Sequence, residues 1–148
     1  MRLVIDTNLW ISGLLWRGLP WQLLKLAEAG LVELCMTPPM VSELAEVLAY
    51  PKLASRLEQF GVTAEELVSR AANLASIWEA PQVDGPPIVI ADRDDDIFLH
   101  CASSAHPGYI LSGDGHLLSL GEYAGIPIVV VRDFFFKEFP DLLASNQA

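Results

Sequence analysis

Basic residues are scarce in this sequence. Its 148 residues include nine Lys and Arg against nineteen Asp and Glu, which gives a formal net charge of −10 at pH 7. A protein that binds nucleic acid by neutralising many phosphates needs clusters of Lys and Arg. The composition therefore argues against that mode of binding. It agrees with a compact carboxylate site that holds a divalent cation, and equally well with solvated helix faces rich in Glu.

Cysteines and long apolar runs are also few. Two cysteines, Cys35 and Cys101, do not indicate a disulfide framework in a chain of this length, and we expect both to be buried. The longest apolar runs, such as IPIVVV before Arg132, fall well short of the roughly 18 residues that a membrane span requires. No basic-then-apolar signal segment is visible at the N-terminus. We expect a soluble, cytoplasmic protein with no membrane contact.

Hydrophobic residues are abundant, and their 52% share is enough for one continuous core. Short apolar runs alternate with stretches of helical periodicity along the chain. This alternation predicts an α/β fold, in which a parallel sheet of four to five strands is covered by helices on both faces. We expect a single domain over residues 1–139, followed by a flexible tail over 140–148. The predicted helices cover residues 14–30, 38–50, 52–60 and 63–79, the last opening with a capping box at Thr63.

Carboxylates follow the predicted strands. Asp6 comes directly after the apolar run of residues 2–5, and Asp114 follows the run YIL. Three further acids, residues 94–96, open a helix, and Glu43 lies in the first turns of the helix after the second strand. Ligands of open parallel sheets bind outside the carboxyl ends of the strands. We therefore expect these acids to face one crevice.

Mutual repulsion determines what such a crevice must contain. Two carboxylates about 4 Å apart repel by about 4 kcal/mol at an effective dielectric of about 20, so four of them need neutralisation by protons or cations. An all-oxygen set without His or Cys suits Mg²⁺ or Mn²⁺ rather than zinc. Such an ion can lower the pKa of bound water and stabilise the charge that builds on a phosphate. The chemistry indicated is phosphodiester hydrolysis.

Four segments carry a resemblance to a known family. They are VIDTNLWISGL, PPMVSELAEVLAYPKL, DRDDDIFLHCA and ILSGDGHLLSL. In this order and spacing they resemble the PIN-domain nucleases, in particular the VapC-like toxins of toxin–antitoxin pairs, and the resemblance extends from Arg2 to about Phe136. It implies a Mg²⁺- or Mn²⁺-dependent ribonuclease that acts on RNA, frequently forms a homodimer and is inhibited by a small antitoxin protein.

The resemblance also assigns site residues by position. Asp6 matches the first acid of the family, Glu43 the second and Asp114 the acid of the SGD segment. For the third acid we choose Asp95, because Phe98 and Ala102 follow it in the helical register that the family shows. These four acids are the predicted catalytic residues, and Asp6, Asp95 and Asp114 are the predicted metal ligands.

Further residues are candidates for supporting roles around these acids. Glu43 and the two acids beside Asp95 can share the metal, so the ligand within the run 94–96 stays open. The hydroxyl groups of Thr7 and Ser112 match those that flank the family's site, and Asn8 matches the Asn of its DTN segment. The remaining candidates are Asp94 and Asp96 as metal ligands, His116 as a substrate contact, and Arg17, Lys52, Arg56 and Arg93 as residues that flank the crevice.

Other interpretations of these residues remain open. Asp6 alone can be the N-cap of a helix, Glu43 a solvated helix residue and Asp114 a turn residue. A PIN fold can also serve as a binding module without turnover. A receiver-like signalling domain also has Asp residues at strand ends and binds Mg²⁺, but it needs a Lys after the last strand, where this chain has Arg132 and Asp133. The aromatic segment FFFKEF at 134–139 predicts either a dimer or antitoxin contact, or burial against the first helix.

Overall fold

Helices and strands alternate along the chain in a computed structural model that describes residues 1–80 and 95–147. The strands are β1 (Arg2–Ile5), β2 (Glu33–Met36), β3 (Ser76–Ile77), β4 (Tyr109–Leu111), β5 (Glu122–Tyr123) and β6 (Ile126–Val129). The helices are α1 (Thr7–Leu15), α2 (Leu19–Glu28), α3 (Pro38–Leu48), α4 (Pro51–Phe60), α5 (Ala64–Leu74), α6 (Asp96–Ala105), α7 (Gly115–Leu118), α8 (Val131–Glu138) and α9 (Pro140–Gln147). The predicted α/β fold is confirmed.

The strands form one sheet in the order β3-β2-β1-β4-β6-β5. Every pairing is parallel except that between β5 and β6. Consecutive side chains of a strand point to opposite faces, yet Leu3, Val4 and Ile5 are all completely or almost completely buried. Helices therefore cover both faces of the central strands, as the unbroken apolar run predicts. The described sheet has six strands rather than four to five, because the two-residue strands β3 and β5 extend its edges. The predicted strand at 88–90 lies outside the described residues.

The helix predicted over residues 14–30 is divided into two. Asp6 caps a helix directly after β1, so α1 begins earlier than predicted. Pro20 has no N–H to donate and its ring would clash with the carbonyl of the residue four positions earlier, so α1 cannot continue through it. The break at residues 16–18 lets α2 fold back on α1, and at Gly13 an added Cβ would lie 2.9 Å from both the Leu24 side chain and the carbonyl oxygen of Pro20.

The helix predicted over residues 63–79 ends five residues early. The predicted helix start at Thr63 is confirmed, since the N–H of Glu66 donates to the hydroxyl of Thr63 at 3.1 Å. Helix α5 then ends at Leu74, and Ser76 pairs in parallel with Cys35 of β2. Joining the sheet satisfies the backbone groups of this short segment, which helical periodicity alone cannot anticipate.

The C-terminal region consists of two helices. Helix α8 buries Phe134 and Phe135 and packs against α2 and α9, whereas Phe136 is 71% exposed. Residues 140–147, for which the sequence predicts a flexible tail, form α9, and its Leu143 is buried. Across residues 1–80 and 95–147 the structure contains no helix of the length and apolarity needed to cross a membrane.

Candidate active site

The ends of β1 and β4 bring two acids to the same edge of the sheet. These strands are parallel neighbours, with Ile5 beside Leu111, so the residues that follow them lie close together. Asp6 is the N-cap of α1 and accepts a hydrogen bond from the N–H of Leu9. Asp114 is the N-cap of α7 and accepts one from the N–H of Leu117 at 3.1 Å. Each of the two acids can therefore be both a helix N-cap and a residue of the site, because the helix that it caps begins at this edge of the sheet.

A cleft of about 210 Å³ opens at this edge. The four predicted catalytic acids all line it, together with two of the predicted supporting residues and two apolar ones. The lining residues are Asp6, Thr7, Asn8, Glu43, Val47, Asp95, Phe98 and Asp114. The acids come from four separate segments of the chain, which only the fold of the sheet and its helices brings together.

Asp6 is the most deeply buried of these acids and is 5% exposed. Its Oδ1 accepts from the N–H of Leu9 at 2.8 Å, and its Oδ2 accepts from the hydroxyl of Ser112 at 2.7 Å and the N–H of Gly113 at 3.3 Å. Burial raises the pKa of Asp6 above its ordinary value, and the negative charge of Asp114 adds to this, although the three hydrogen bonds oppose it. A cation beside Asp6 would therefore relieve an unfavourable buried charge.

Glu43 is tied to the start of α1. The hydroxyl of Thr7 donates a hydrogen bond to Oε2 of Glu43, which links the first turn of α1 to the first turns of α3. Thr7 is buried and Glu43 is half-buried, so this contact lies at the wall of the cleft. The supporting hydroxyl that the sequence predicts at Thr7 thus positions the second acid.

Asp95 and Asp114 interact directly. Burial by itself would raise the pKa of Asp114, but a side-chain hydrogen bond with Asp95 and the N–H of Leu117 outweigh that effect. The net result is that the pKa of Asp114 is held below its ordinary value. Two carboxylates this close repel each other, so a proton or a cation between them lowers their energy.

His116 joins this pair. A ring nitrogen of His116 and one carboxylate oxygen each from Asp95 and Asp114 all lie within 4.8 Å of one another. The Nδ1 atom of His116 is 4.0 Å from Oδ1 of Asp114, which is beyond hydrogen-bond distance. The sequence prediction assumed an all-oxygen set and, from its place two residues after Asp114, named His116 as a substrate contact. The second residue after an N-cap lies in the first turn of the same helix, which brings its side chain back toward Asp114.

The other predicted site residues differ in how near they lie to the cleft. Ser112 is fully buried behind the cleft and Asn8 is exposed at its wall. Asp96 is 6% exposed in the first turn of α6, and it is not among the described residues that line the cleft. Asp94 and Arg93 lie outside the described residues. The predicted flanking cations Arg17, Lys52 and Arg56 are also absent from the described lining.

Arg56 instead belongs to an aromatic surface at the other end of α1. Its guanidinium lies 5.2 Å from the ring centre of Trp16 and 5.8 Å from that of Phe60. Arg17 likewise lies over the ring of Trp21, at 5.3 Å. The two arginines therefore make cation–π contacts with aromatic rings at this surface.

The donors in and beside the cleft fit a divalent cation. Asp95, Asp114 and His116 each offer a ligand atom within 4.8 Å of the other two, and the side chains of Asp114 and His116 are 34% and 53% exposed, so an ion from solvent can reach them. Asp6 and Glu43 line the same cleft but do not belong to this close group of three. The chemistry of the site is therefore that of a cation bound mainly by carboxylate oxygen.

Comparison with known proteins identifies the family of this chain. No curated protein matches the chain. The sequence model of the PIN domain, a domain that is generally a nuclease and generally uses a divalent metal, matches residues 2–116. The match contains all four predicted catalytic acids, and it favours a nuclease over the receiver-like signalling domain. This chain belongs to the PIN-domain family.

Proposed function

We propose that this protein is an endoribonuclease that uses Mg²⁺ or Mn²⁺ to hydrolyse phosphodiester bonds of RNA, and that it is the toxin of a toxin–antitoxin pair. The observation that carries the proposal is the convergence of Asp6, Glu43, Asp95 and Asp114 on one cleft of a PIN domain. A cleft of four acids repels the phosphates of a nucleic acid, so its use as a nuclease site requires a cation.

The four acids of the cleft have different roles in the proposed reaction. Asp95 and Asp114 hold the ion, and Asp6 adds its charge from the buried side of the cleft. When bound, a divalent cation supplies Lewis acidity, which makes water a better nucleophile at neutral pH and offsets the charge that develops on the phosphate. Glu43, held by the hydroxyl of Thr7, is the acid placed to accept a proton at its carboxylate.

The chain also keeps these groups in position before substrate arrives. The N–H groups of Leu9 and Gly113 and the hydroxyl of Ser112 surround the carboxylate of Asp6, so its oxygens cannot rotate freely. Such preorganisation lowers the cost of reaching the transition state. Asn8 is exposed beside these acids and offers an amide to a substrate at the mouth of the cleft.

Two features support a short single-stranded substrate. The net charge of −10 provides little long-range attraction for a duplex, and the cleft of about 210 Å³ is small. Unpaired bases and bent backbones fit a small cleft more readily than an A-form duplex does. RNA is proposed over DNA because of the resemblance to VapC-like nucleases.

The first experiment is cleavage of a mixed single-stranded RNA pool by the purified protein, with Mn²⁺, with Mg²⁺ or with a chelator. We expect cleavage with the metals, none with the chelator, and a loss of at least about 100-fold in Asp6→Asn and Asp95→Asn. Asp133→Asn, which changes an exposed acid of α8, is the matched control and should leave the rate unchanged.

Each alternative outcome has a distinct meaning. Cleavage that survives both substitutions would place the activity elsewhere or in a contaminant. Metal binding without cleavage of any pool would favour the PIN-fold binding module without turnover. Faster cleavage of a single-stranded DNA pool than of the RNA pool would reassign the substrate.

The toxin role and the assembly state need separate tests. Induced expression of the wild-type chain should stop cell growth, whereas expression of Asp6→Asn should not. The proposed small antitoxin is sought in the open reading frame beside this one, and its coexpression should restore growth. Light scattering of the purified chain tests the proposed homodimer, for which the exposed Phe136 offers apolar surface.

A further inference from the structure

The metal centre of this cleft departs from an all-oxygen donor set at one position. His116 lies in the first turn of α7, two residues after Asp114, and its side chain is 53% exposed beside the residues that line the cleft. One of its ring nitrogens is within 4.8 Å of carboxylate oxygens from both Asp95 and Asp114. Among the described residues, Asp95, Asp114 and His116 are the group of three His, Cys, Asp or Glu side chains whose ligand atoms lie this close together.

The distances suit a shared ion. Ligand atoms bound at about 2.1 Å to one cation can be as far as about 4.2 Å apart when they lie on opposite sides of it. The Nδ1 of His116 and the Oδ1 of Asp114 are 4.0 Å apart, within that limit and too far apart for a hydrogen bond. No two of the three ligand atoms are more than 4.8 Å apart, so a small rotation of the exposed imidazole is enough to bring all three within reach of one ion.

The N-cap hydrogen bond of Asp114 uses one carboxylate oxygen, and the other oxygen lies beside His116. The Oδ2 of Asp114 caps α7 through the N–H of Leu117, so the cap fixes both the carboxyl group and the helix turn that carries His116. Its Oδ1 is the oxygen on the side of the imidazole. The cap therefore fixes the backbone of both residues at the start of α7, and the imidazole alone is left to adjust.

An imidazole ligand changes which metal a site prefers. Mg²⁺ binds oxygen and usually keeps several waters, whereas imidazole nitrogen suits the transition metals and increases their advantage over Mg²⁺. We propose that His116 is a nitrogen ligand of the cation held by Asp95 and Asp114, and that it makes the site select Mn²⁺ over Mg²⁺. This inference rests on the proposed function, because it assumes that the cleft holds a divalent cation.

Binding measurements without substrate test the proposal. Free Mn²⁺ is followed by its electron paramagnetic resonance signal, Mg²⁺ is measured as a competitor, and Co²⁺ serves as an absorption probe of nitrogen ligation, all at pH 8. In His116→Ala we expect Mn²⁺ affinity to fall by about tenfold or more, since the loss of an outer-sphere partner alone costs 10- to 100-fold. Mg²⁺ affinity should change by less than about twofold, and the Co²⁺ band should shift.

Two further variants separate ligation from other effects. His116→Asp replaces the nitrogen with oxygen, so metal binding should persist while the preference for Mn²⁺ over Mg²⁺ shrinks. His106→Asn changes a histidine at the far end of α6, where the left-handed backbone conformation tolerates Asn, and it should bind metals like the wild type. Circular dichroism of each variant verifies folding.

The possible failures are distinguishable. If the wild type binds neither Mn²⁺ nor Mg²⁺, both this inference and the proposed metal-dependent function are wrong. If the wild type binds Mn²⁺ and His116→Ala binds it equally well, this inference alone is wrong and the proposed function stands. Reduced RNA cleavage in His116→Ala with unchanged metal affinities would make His116 a substrate contact and overturn its role as a ligand.

Discussion

The hydroxyl of Ser112 joins the acids at the ends of two neighbouring strands. It donates to Oδ2 of Asp6 at 2.7 Å and accepts from the N–H of Asp114 at 2.9 Å. Ser112 is completely buried, so both bonds are shielded from water. This serine therefore sets the spacing between the first and the last acid of the candidate site.

Ser112→Ala should destabilise the protein by about 1–3 kcal/mol, because it leaves a buried carboxylate and a buried N–H each short of one partner. The lost hydrogen bond should also raise the pKa of Asp6 further. Urea unfolding at pH 7.5 measures the stability. Ser69→Ala, on an exposed position of α5, is the control and should stay within about 0.5 kcal/mol of the wild type. Equal stability of the two variants would show that the serine bridge is dispensable.

Two substitutions of Asp114 should separate its charge from its capping role. Asn is as good an N-cap as Asp, so Asp114→Asn should retain the wild-type stability within about 0.5 kcal/mol, whereas Asp114→Ala should lose about 1 kcal/mol. Both should lose RNA cleavage by about 100-fold or more, because both remove a proposed metal ligand. Thermal unfolding and a cleavage assay on the same preparations check this. Full activity of Asp114→Asn would mean that the acid acts only as a cap.

Stability should fall in alkaline solution because of the buried thiols. Burial is the main cause that raises the pKa of Cys35 to about 11 and that of Cys101 to about 12, from an ordinary value of 9.0. The folded state thus holds these protons more tightly than the unfolded state. The stabilisation that the two protonated thiols give the folded state is complete below about pH 9 and is lost as the pH rises through their folded-state pKa values. At pH 11 the free energy of unfolding should have fallen by about 2 kcal/mol for each thiol.

Urea unfolding between pH 8 and pH 11 measures this loss. The double variant Cys35→Ala with Cys101→Ala should show a shallower alkaline decline, whatever its stability at pH 8. Part of the alkaline loss of stability should remain in this variant because of Tyr109, since burial and the hydrogen bond to Glu138 also raise the pKa of its hydroxyl. An unchanged decline in the double variant would assign the whole effect to other groups.

Gly13→Ala should destabilise the protein although Ala is the better helix former. The new Cβ would lie 2.9 Å from the carbonyl oxygen of Pro20, a backbone atom that cannot move aside without shifting α2. Overpacking destabilises a protein by about 1–3 kcal/mol, whereas the higher helix propensity of Ala over Gly stabilises it by at most about 1 kcal/mol. At Gly115, the first residue of α7, an added Cβ meets no atom within 4 Å. Gly115→Ala should therefore be neutral or slightly stabilising, and thermal unfolding compares the two variants.

Elements with a strong local signal were predictable. The starts of α3 after Thr37 and of α5 after Thr63 follow from proline and capping patterns, and they agree with the structure. The single long helix over residues 14–30 was wrong, because the apolar periodicity continues across the break that Pro20 imposes. Strands β3 and β5 were missed, since a two-residue strand exists only by pairing with a neighbour and has no periodicity of its own.

The positions of the acids along the chain were enough to predict a carboxylate site at one edge of the sheet. Asp6 and Asp114 follow apolar runs, and carboxylates at the ends of parallel strands share an edge whatever the details of packing. The identity of the groups that meet at this edge depends on how the whole chain folds. The tertiary structure ties Glu43 to Thr7, links Asp6 to Asp114 through Ser112, and brings His116 to Asp95. These contacts depend on how the helices are placed against the sheet, and that placement results from packing of the whole core rather than from any local stretch of sequence.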